Sequence, residues 1–171
     1  MFHAETSRGN ERAMNPAETP IAIAADHAGV ALKDSLRAAL EAAGHPVRDF
    51  GTHGNGSVDY PDFAHQVARA VAGGQALFGV LVCGSGIGMS LAANRHADIR
   101  AVVIHNTTEA RLTRAHNNAN VACFGARTVG AEVVLDSLSA FLTTPYEGGR
   151  HERRVAKINL SPPISPAGQE A

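Results

Sequence analysis

The stretch that decides the fold is FGVLVCGSGIGMS, which runs from Phe78 to Ser90. Its apolar first half is rich in bulky and β-branched residues and stops at Cys83, as expected of a strand that is covered on both faces. Alternating glycines fill the turn Gly84–Gly88, and residues 90–94 favour a helix. Ligands of open α/β sheets bind at the carboxyl ends of strands, so Cys83 is predicted to lie in a functional site.

The glycines of this turn are spaced Gly-x-Gly-x-Gly. This spacing is neither the dinucleotide fingerprint nor the P-loop, and it suits a small anion better than a nucleotide. Plainer interpretations remain open, in which the turn binds nothing and Cys83 is a small buried apolar residue. The amino end of a helix stabilises a thiolate, which favours a chemical role for Cys83. Cys123 lies in a purely apolar run and is predicted to belong to the core.

Composition limits the class of protein. The chain has 171 residues, a formal net charge of −1 and two cysteines. Its length favours one domain that needs no disulfides, and the cysteine spacing indicates a reducing compartment with neither a metal nor a cofactor. The charge gives no electrostatic reason to expect a nucleic acid or a membrane as partner. Without a signal peptide or a membrane-spanning run, the protein is expected in the cytoplasm.

The chain divides into three parts. Residues 1–19 are polar and are predicted to form a disordered extension, and the Pro-rich residues 160–171 are predicted to form a disordered tail. Residues 20–159 are predicted to form a single domain with strands at 21–25, 47–50, 78–83, 99–105 and 120–124. Helices are predicted from 30 to 43, 61 to 72, 107 to 116, 129 to 142 and about 149 to 159, with another after the glycine turn. The alternation predicts an α/β fold, a three-layer α/β/α Rossmann-like sandwich with a five-stranded parallel sheet.

Polar residues that could act in chemistry adjoin the ends of these strands. We expect them on the same rim of the sheet as Cys83: Asp26, His27, Asn106, His116, Asn117 and Arg127. Each has a plainer interpretation, because Asp26 could cap a helix, His116-Asn117 could end one, and Arg127 could be a solvated charge. Strand-end loops are nevertheless where α/β enzymes keep their sites.

Two arginines near the end of the chain predict an anion clamp. Arg150 and Arg154 are four residues apart and would share a face of the last helix. Guanidinium groups without acidic partners bind phosphate in a bidentate manner, although a solvated basic helix end explains the pattern equally well.

Together these residues comprise a thiol base, an anion hole, an acid-base pair and a phosphate clamp. That set suits proton abstraction next to the carbonyl of a phosphorylated sugar. Two other classes remain possible, a non-catalytic phosphate- or nucleotide-binding domain and a cysteine-dependent redox or hydrolytic enzyme. A resolving cysteine near Cys83 is missing, which argues against redox exchange.

Several motifs, in order over residues 20 to about 158, resemble the type B ribose-5-phosphate isomerases, whose family includes allose-6-phosphate and galactose-6-phosphate isomerases. The motifs are DHAG (26–29), DYP (59–61), CGSGIG (83–88), AAN (92–94), HN (116–117), GAR (125–127) and YEGGRH (146–151). The resemblance implies interconversion of ribose 5-phosphate and ribulose 5-phosphate through an enediolate, as in the pentose phosphate pathway. Allose or galactose 6-phosphate remains an alternative substrate.

The resemblance also implies roles for single residues. Cys83 would be the base that moves the proton, and His116 would open the sugar ring together with Asp26. Ser85 would also be catalytic and stands where many relatives carry threonine. One branch of the family uses a glutamate just after the glycine turn, where this chain has Met89, so the chain would belong to the cysteine branch.

Substrate contacts follow from the same resemblance. The enediolate would be held by the backbone of Gly84, Ser85, Gly86, Ile87 and Gly88. The phosphate would be held by His27, Arg127, Arg150 and Arg154, and the sugar would be lined by Tyr60 and Asn117. Members of the family are dimers with shared sites, so the expected partners are the phosphorylated sugar and a second copy of the chain, possibly within a tetramer.

Overall fold

The computed structural model describes residues 18–158, so nearly all of the predicted extension and the whole predicted tail lie outside the described residues. Strands and helices alternate through this range. In chain order they are β1 (Ile21–Ala25), α1 (Val30–Ala42), β2 (Val47–Asp49), α2 (Tyr60–Ala72), β3 (Gly79–Cys83), α3 (Ile87–Ala93), β4 (Ala101–Val103), α4 (Thr107–Asn117), β5 (Val121–Gly125), α5 (Ala131–Thr143), a 3₁₀ turn (Gly149–His151) and α6 (Glu152–Ala156).

The five strands form one sheet in the order β2-β1-β3-β5-β4, and every neighbouring pair is parallel. This confirms the predicted Rossmann-like α/β fold with a five-stranded parallel sheet. The central strands β1, β3 and β5 are buried along their whole length, as expected where helices cover both faces.

Alternate side chains of the strands pack into two separate cores. Ile23 and Val82 belong to the core beneath α1, α4 and α5, whereas Ala24 and Leu81 belong to the core beneath α2 and α3. Cys83 belongs to the second core, so its thiol lies on the α2–α3 side of the sheet.

The strand order creates a crevice between β1 and β3. The chain leaves β1 toward β2 at one side of the sheet and returns through α2 to β3 on the other side of β1. The carboxyl ends of β1 and β3 are therefore the point where the winding direction reverses, the usual ligand site of open α/β sheets. Asp26 follows β1 there, and Cys83 ends β3.

Most predicted boundaries lie within two residues of the observed ones, and the structure explains the differences at three elements. The fourth strand is shorter than 99–105 because the His105 N–H donates to Glu109 Oε2 (2.8 Å) and so leaves the sheet. The helix after the glycine turn begins at Ile87, before residue 90, because Gly86 reverses the chain in one step with φ of 78°. The last predicted helix is a 3₁₀ turn followed by α6, and its predicted end at residue 159 lies outside the described residues.

A buried ion pair fixes the edge of the sheet near the crevice. Lys33 of α1 is fully buried and its Nζ pairs with Asp49 Oδ2 at the end of β2. The other carboxylate oxygen of Asp49 accepts from the Gly51 N–H (2.8 Å), and the Thr52 N–H donates to the Ala25 carbonyl (2.7 Å). The loop after β2 is thereby held against the end of β1, next to Asp26.

No helix within residues 18–158 is both long enough and apolar enough to cross a membrane.

We expect Gly125→Ala to destabilise the fold. A Cβ at Gly125 would lie 2.1 Å from Thr128 Oγ1 and 2.7 Å from the Ser85 carbonyl carbon, and that backbone belongs to the glycine turn. The free energy of unfolding in urea should fall by about 1–3 kcal/mol, the usual effect of overpacking. Gly54→Ala is the control, because no atom lies within 4 Å of its Cβ position. Equal stability of the two variants would show that the turn does not rest on Gly125.

Candidate active site

Cys83 and the glycine turn form the centre of the carboxyl-edge site. The Cys83 side chain is 5% exposed, and its Sγ accepts from the Gly86 N–H at 3.1 Å. This hydrogen bond fixes the position of the sulfur beside the glycine turn. Met89 is fully buried in the core beneath α2 and α3, so the first turn of α3 carries no acidic side chain toward the thiol.

Beside the thiol, the turn offers backbone donors. The N–H groups in the first turn of a helix have no acceptor within that helix, and here α3 begins directly after the Gly86 turn. Ser85 lies within the turn and its Oγ is 3.4 Å from the Ile87 nitrogen, which donates to it. The arrangement can stabilise a small negatively charged group next to Cys83.

Asp26 and His27 line the same crevice after β1. The Asp26 N–H donates to the Val82 carbonyl (3.1 Å), and its Oδ1 accepts from the Ala28 N–H (2.9 Å), so the buried carboxylate is held in one orientation. His27 Nδ1 accepts from the Val58 N–H at 3.3 Å. Its proton therefore sits on Nε2, which remains able to donate to a ligand.

Tyr60 and Arg127 flank the glycine turn. A Cβ on Gly88 would lie 2.7 Å from ring atoms of Tyr60, so the ring lies directly on the turn. The Arg127 N–H donates to the Gly84 carbonyl (3.0 Å), and its side chain runs over Gly84. The Arg127 side chain is exposed and forms no ion pair with the residues described, so it is available to an anion.

His116 and Asn117 do not lie on this rim, and the predicted placement was wrong. They end α4, which begins beyond the carboxyl end of β4 and returns to the amino end of β5. There Val121 pairs with Gly79, the first residue of β3, whereas Cys83 is its last. At about 3.3 Å per strand residue the two edges are on the order of 13 Å apart. The prediction failed because the end of a helix was treated like the end of a strand.

A second polar cluster forms around His116 at the amino edge. The Glu147 N–H donates to the Ala115 carbonyl (3.0 Å), which ties the segment after α5 to the end of α4. The rings of His116 and His151 stack with centroids 4.4 Å apart and planes 6° apart. Glu147 Oε2 lies 3.8 Å from His116 Nε2 and 3.6 Å from His151 Nε2. Burial lowers the pKa of His151, and the neighbouring His116 and Arg150 lower it further.

Arg150 and Arg154 belong to this second cluster, but they do not share one α-helix as predicted. Arg150 lies in the 3₁₀ turn, where its Nε–H donates to His151 Nε2 (3.3 Å), and Arg154 lies in α6. Both side chains are exposed, and no acid in the described part of the chain pairs with either. Their charges are available to an anion.

The cavity beside Asn117 belongs to the amino edge as well. It holds about 810 Å³ and is lined by residues 94–102, Asn117 and Ile158. None of the carboxyl-edge residues contributes to it, so it is distinct from the crevice at Cys83.

Sequence reasoning missed Glu147 and His151 as neighbours of His116. It expected no metal site, because no histidines stand at metal-ligand spacing. The structure gathers one ligand atom from each of His116, Glu147 and His151 within 4.8 Å of one another. Residues far apart in sequence meet here only through the packing of residue 147 on α4, and local spacing carries no signal for that.

The two clusters define a class of protein. A thiol and a glycine turn at the switch point of a parallel sheet, with unpaired arginines at both edges, are typical of an enzyme that acts on a small phosphorylated substrate. The comparison with known proteins identifies the family. The sequence profile of the Ribose/Galactose Isomerase family matches residues 21–158, and the chain belongs to that family. It is an isomerase of sugar phosphates.

The chain is also similar, in sequence and in structure, to individual members of this family. Ribose-5-phosphate isomerase B of Escherichia coli is 48% identical over 138 residues, which cover 81% of this chain and 93% of the relative. The structure of ribose-5-phosphate isomerase B from Clostridium thermocellum is similar with a TM-score of 0.81 and 47% identity, covering 81% of this chain and 94% of that one. The structure of a ribose 5-phosphate isomerase from Thermotoga maritima is similar with a TM-score of 0.81 and 46% identity, covering 83% of this chain and 98% of that one.

We expect alkylation of the native protein to modify Cys83 alone. Cys123 is fully buried, and burial raises the pKa of its thiol far above the usual range, whereas Cys83 borders the crevice. Iodoacetamide should therefore add one group per folded chain, located at Cys83 by peptide mass spectrometry, and a second only after unfolding. Modification of Cys123 in the folded protein would contradict the described packing of β5.

Proposed function

We propose that the chain interconverts ribose 5-phosphate and ribulose 5-phosphate, with Cys83 as the base. The observation that carries the proposal is the buried thiol at the end of β3, which accepts from the Gly86 N–H beside the amino end of α3. Relatives named ribose-5-phosphate isomerase B support the pentose substrate. Another relative, 39% identical, is named D-erythrulose-4-phosphate isomerase, so sugars of other lengths belong in the test.

The proposed reaction passes through an enediolate. The Cys83 thiolate removes the proton from carbon 2 of the open-chain aldose, and the electron pair moves toward the carbonyl oxygen on carbon 1. Donors of the glycine turn stabilise the developing charge, a contribution of about 3 kcal/mol for each well-placed donor. The thiol then returns the proton to carbon 1, and in this proposal the Ser85 hydroxyl, which lies within the glycine turn, exchanges protons with the two substrate oxygens.

Ring opening needs a second acid-base group, and we assign it to His116 working with Asp26. Their separation by the length of the sheet supports a site shared between two copies of the chain. His116 of each copy would enter the crevice of the other, beside Asp26 and Cys83. A two-fold pairing of this kind gives two identical sites per homodimer.

The exposed apolar surface next to the crevice favours such a pairing. Ile87 and Leu91 are 56% and 66% exposed and lie one turn apart on α3, directly after the glycine turn. A partner that brings its amino-edge cluster to Cys83 must pass over this surface. Burial of these two side chains would contribute to the stability of the dimer.

Substrate contacts divide between the two copies in this proposal. His27 and Arg127 bind the phosphate from the carboxyl edge, and Arg150 and Arg154 of the other copy bind it from the opposite side. Tyr60 lines the sugar from the first copy and Asn117 from the second. Charge-assisted contacts from three guanidinium groups suit a phosphate dianion.

Cys83→Ala should abolish turnover but leave the substrate bound. The thiol acts on the proton and not on the phosphate, so kcat should fall by about 10³-fold, within the range for loss of an acid-base group, while Kd changes less than about tenfold. Steady-state assays and calorimetry on the full chain measure the two quantities. Cys123→Ala is the matched control and should keep kcat. Wild-type turnover by Cys83→Ala would remove Cys83 from the base role.

Mixed dimers test the shared site. Subunits carrying Cys83→Ala and subunits carrying His116→Ala should each be inactive alone on the cyclic sugar. After mixing by unfolding and refolding, half of the dimers are hybrids with one intact site, so activity should return to about a quarter of wild type. Mass spectrometry of differently tagged subunits verifies hybrid formation. Verified hybrids without activity would show that each chain builds its site alone.

The preferred sugar is settled by kcat/KM on four substrates. We expect ribose 5-phosphate to exceed allose 6-phosphate, galactose 6-phosphate and D-erythrulose 4-phosphate. A higher value for a hexose phosphate would assign the chain to that reaction of the same family. Sugar-phosphate binding without turnover of any of them would indicate a binding domain.

A further inference from the structure

The amino-edge cluster contains three side chains that could bind a metal ion, although the proposed reaction needs no metal. His116, Glu147 and His151 each place one ligand atom within 4.8 Å of the other two. Two imidazoles and one carboxylate match the protein ligands of a common class of zinc site, in which a fourth position stays open to water or substrate. We propose that these three side chains bind a divalent transition-metal ion, zinc in particular, and that the bound ion inhibits the isomerase by occupying His116.

Two of the three separations between ligand atoms require only small adjustments, and the third, between the two imidazoles, is no more than 4.8 Å. Zinc bonds of about 2.0–2.1 Å in tetrahedral geometry place ligand atoms roughly 3.3 Å apart. Glu147 Oε2 is 3.6 Å from His151 Nε2 and 3.8 Å from His116 Nε2. Both separations are therefore within about half an ångström of the bonded arrangement.

The exposure of the three side chains shows which of them move. The His151 side chain is 7% exposed and acts as the fixed ligand, whereas those of His116 and Glu147 are 35% and 57% exposed. The two imidazole planes are nearly parallel, so one ring must turn before both lone pairs meet a single ion. His116, the more exposed ring, is the one free to turn.

The charged groups around the cluster determine what a metal ion must compete with there. A metal ion needs the lone pair of each imidazole, so it competes with protons for both rings. Arg150 and Arg154 face the cluster and oppose a cation, while the Glu147 carboxylate attracts it. Because the Arg150 Nε–H donates to His151 Nε2, an ion bound at that nitrogen must displace Arg150. Metal binding therefore removes a phosphate ligand together with His116.

The inhibitory part of this inference rests on the proposed role of His116, whereas the binding part does not. Binding is tested first, on the full chain carrying Cys83→Ala, so that the reactive thiol cannot supply a ligand. Calorimetry with Zn²⁺ should give one ion per chain. Co²⁺ should give the visible absorption of a four- or five-coordinate ion without a sulfur-to-cobalt charge-transfer band.

Variants of the ligands locate the site. Glu147→Gln and His151→Gln should each weaken Zn²⁺ binding at least tenfold, and circular dichroism verifies that they fold. Glu152→Gln is the matched control, an exposed acid on the same segment outside the cluster, and should bind like its parent. Unchanged affinity in Glu147→Gln would overturn the proposed site, as would loss of all binding in Cys83→Ala alone.

Inhibition is tested on the chain with Cys83 intact. Zn²⁺ should abolish turnover of the cyclic sugar, and EDTA should restore it. Measured against its own metal-free rate, Glu147→Gln should need at least tenfold more Zn²⁺ for the same fractional inhibition. Stoichiometric binding at the cluster with full activity would overturn the inhibitory role, and an inactive wild-type chain that still binds zinc there would count against the proposed function alone.

Discussion

The pairing of β3 with β5 is the interaction on which the carboxyl-edge site depends. It continues past the last strand residues, because the Ala126 N–H donates to the Cys83 carbonyl (2.8 Å) and the Arg127 N–H to the Gly84 carbonyl (3.0 Å). Gly125 makes this continuation possible, since a side chain there would collide with the backbone of Ser85. Thiol, turn and guanidinium are thereby held by one backbone ladder, and a shift in its register would move all three together.

The same alternation of strands and helices places His116, at the end of α4, beyond the reach of Cys83 in the same chain. In a parallel sheet each helix returns the chain to the amino edge, so residues that end α4 face away from residues that end β3. A separation on the order of 13 Å exceeds what any rotamer change can span. If Cys83 and His116 serve one reaction, the fold itself requires a second chain, and two-fold symmetry then supplies two complete sites from two incomplete ones.

The elements around Cys83 could be predicted because the signal there was local, whereas the order of the strands in the sheet was not predicted. The apolar run before Cys83 and the glycines after it specify a strand, a turn and a helix by themselves. Other signals were present but not used. Asn106 caps α4 with Glu109 three residues later, which ends β4 early, and positive φ values of 64° and 54° at Gly148 and Gly149 keep a regular α-helix from beginning at residue 149. The meeting of His116 with Glu147 and His151 depends on tertiary packing, which periodicity cannot show.

The segment that carries Glu147 and His151 makes few contacts with the rest of the described chain. The proposed roles of the amino-edge cluster all depend on the His116 ring. α6 buries none of its side chains, so the segment relies on the bond from Glu147 to Ala115 and on the stacked histidines. The partly exposed His116 ring of the stacked pair lies 3.8 Å from the Glu147 carboxylate. A proton, a metal ion and a partner subunit would all act on that one partly exposed ring. In the proposed enzyme, acid-base chemistry, ion binding and assembly would thus be coupled through a single side chain.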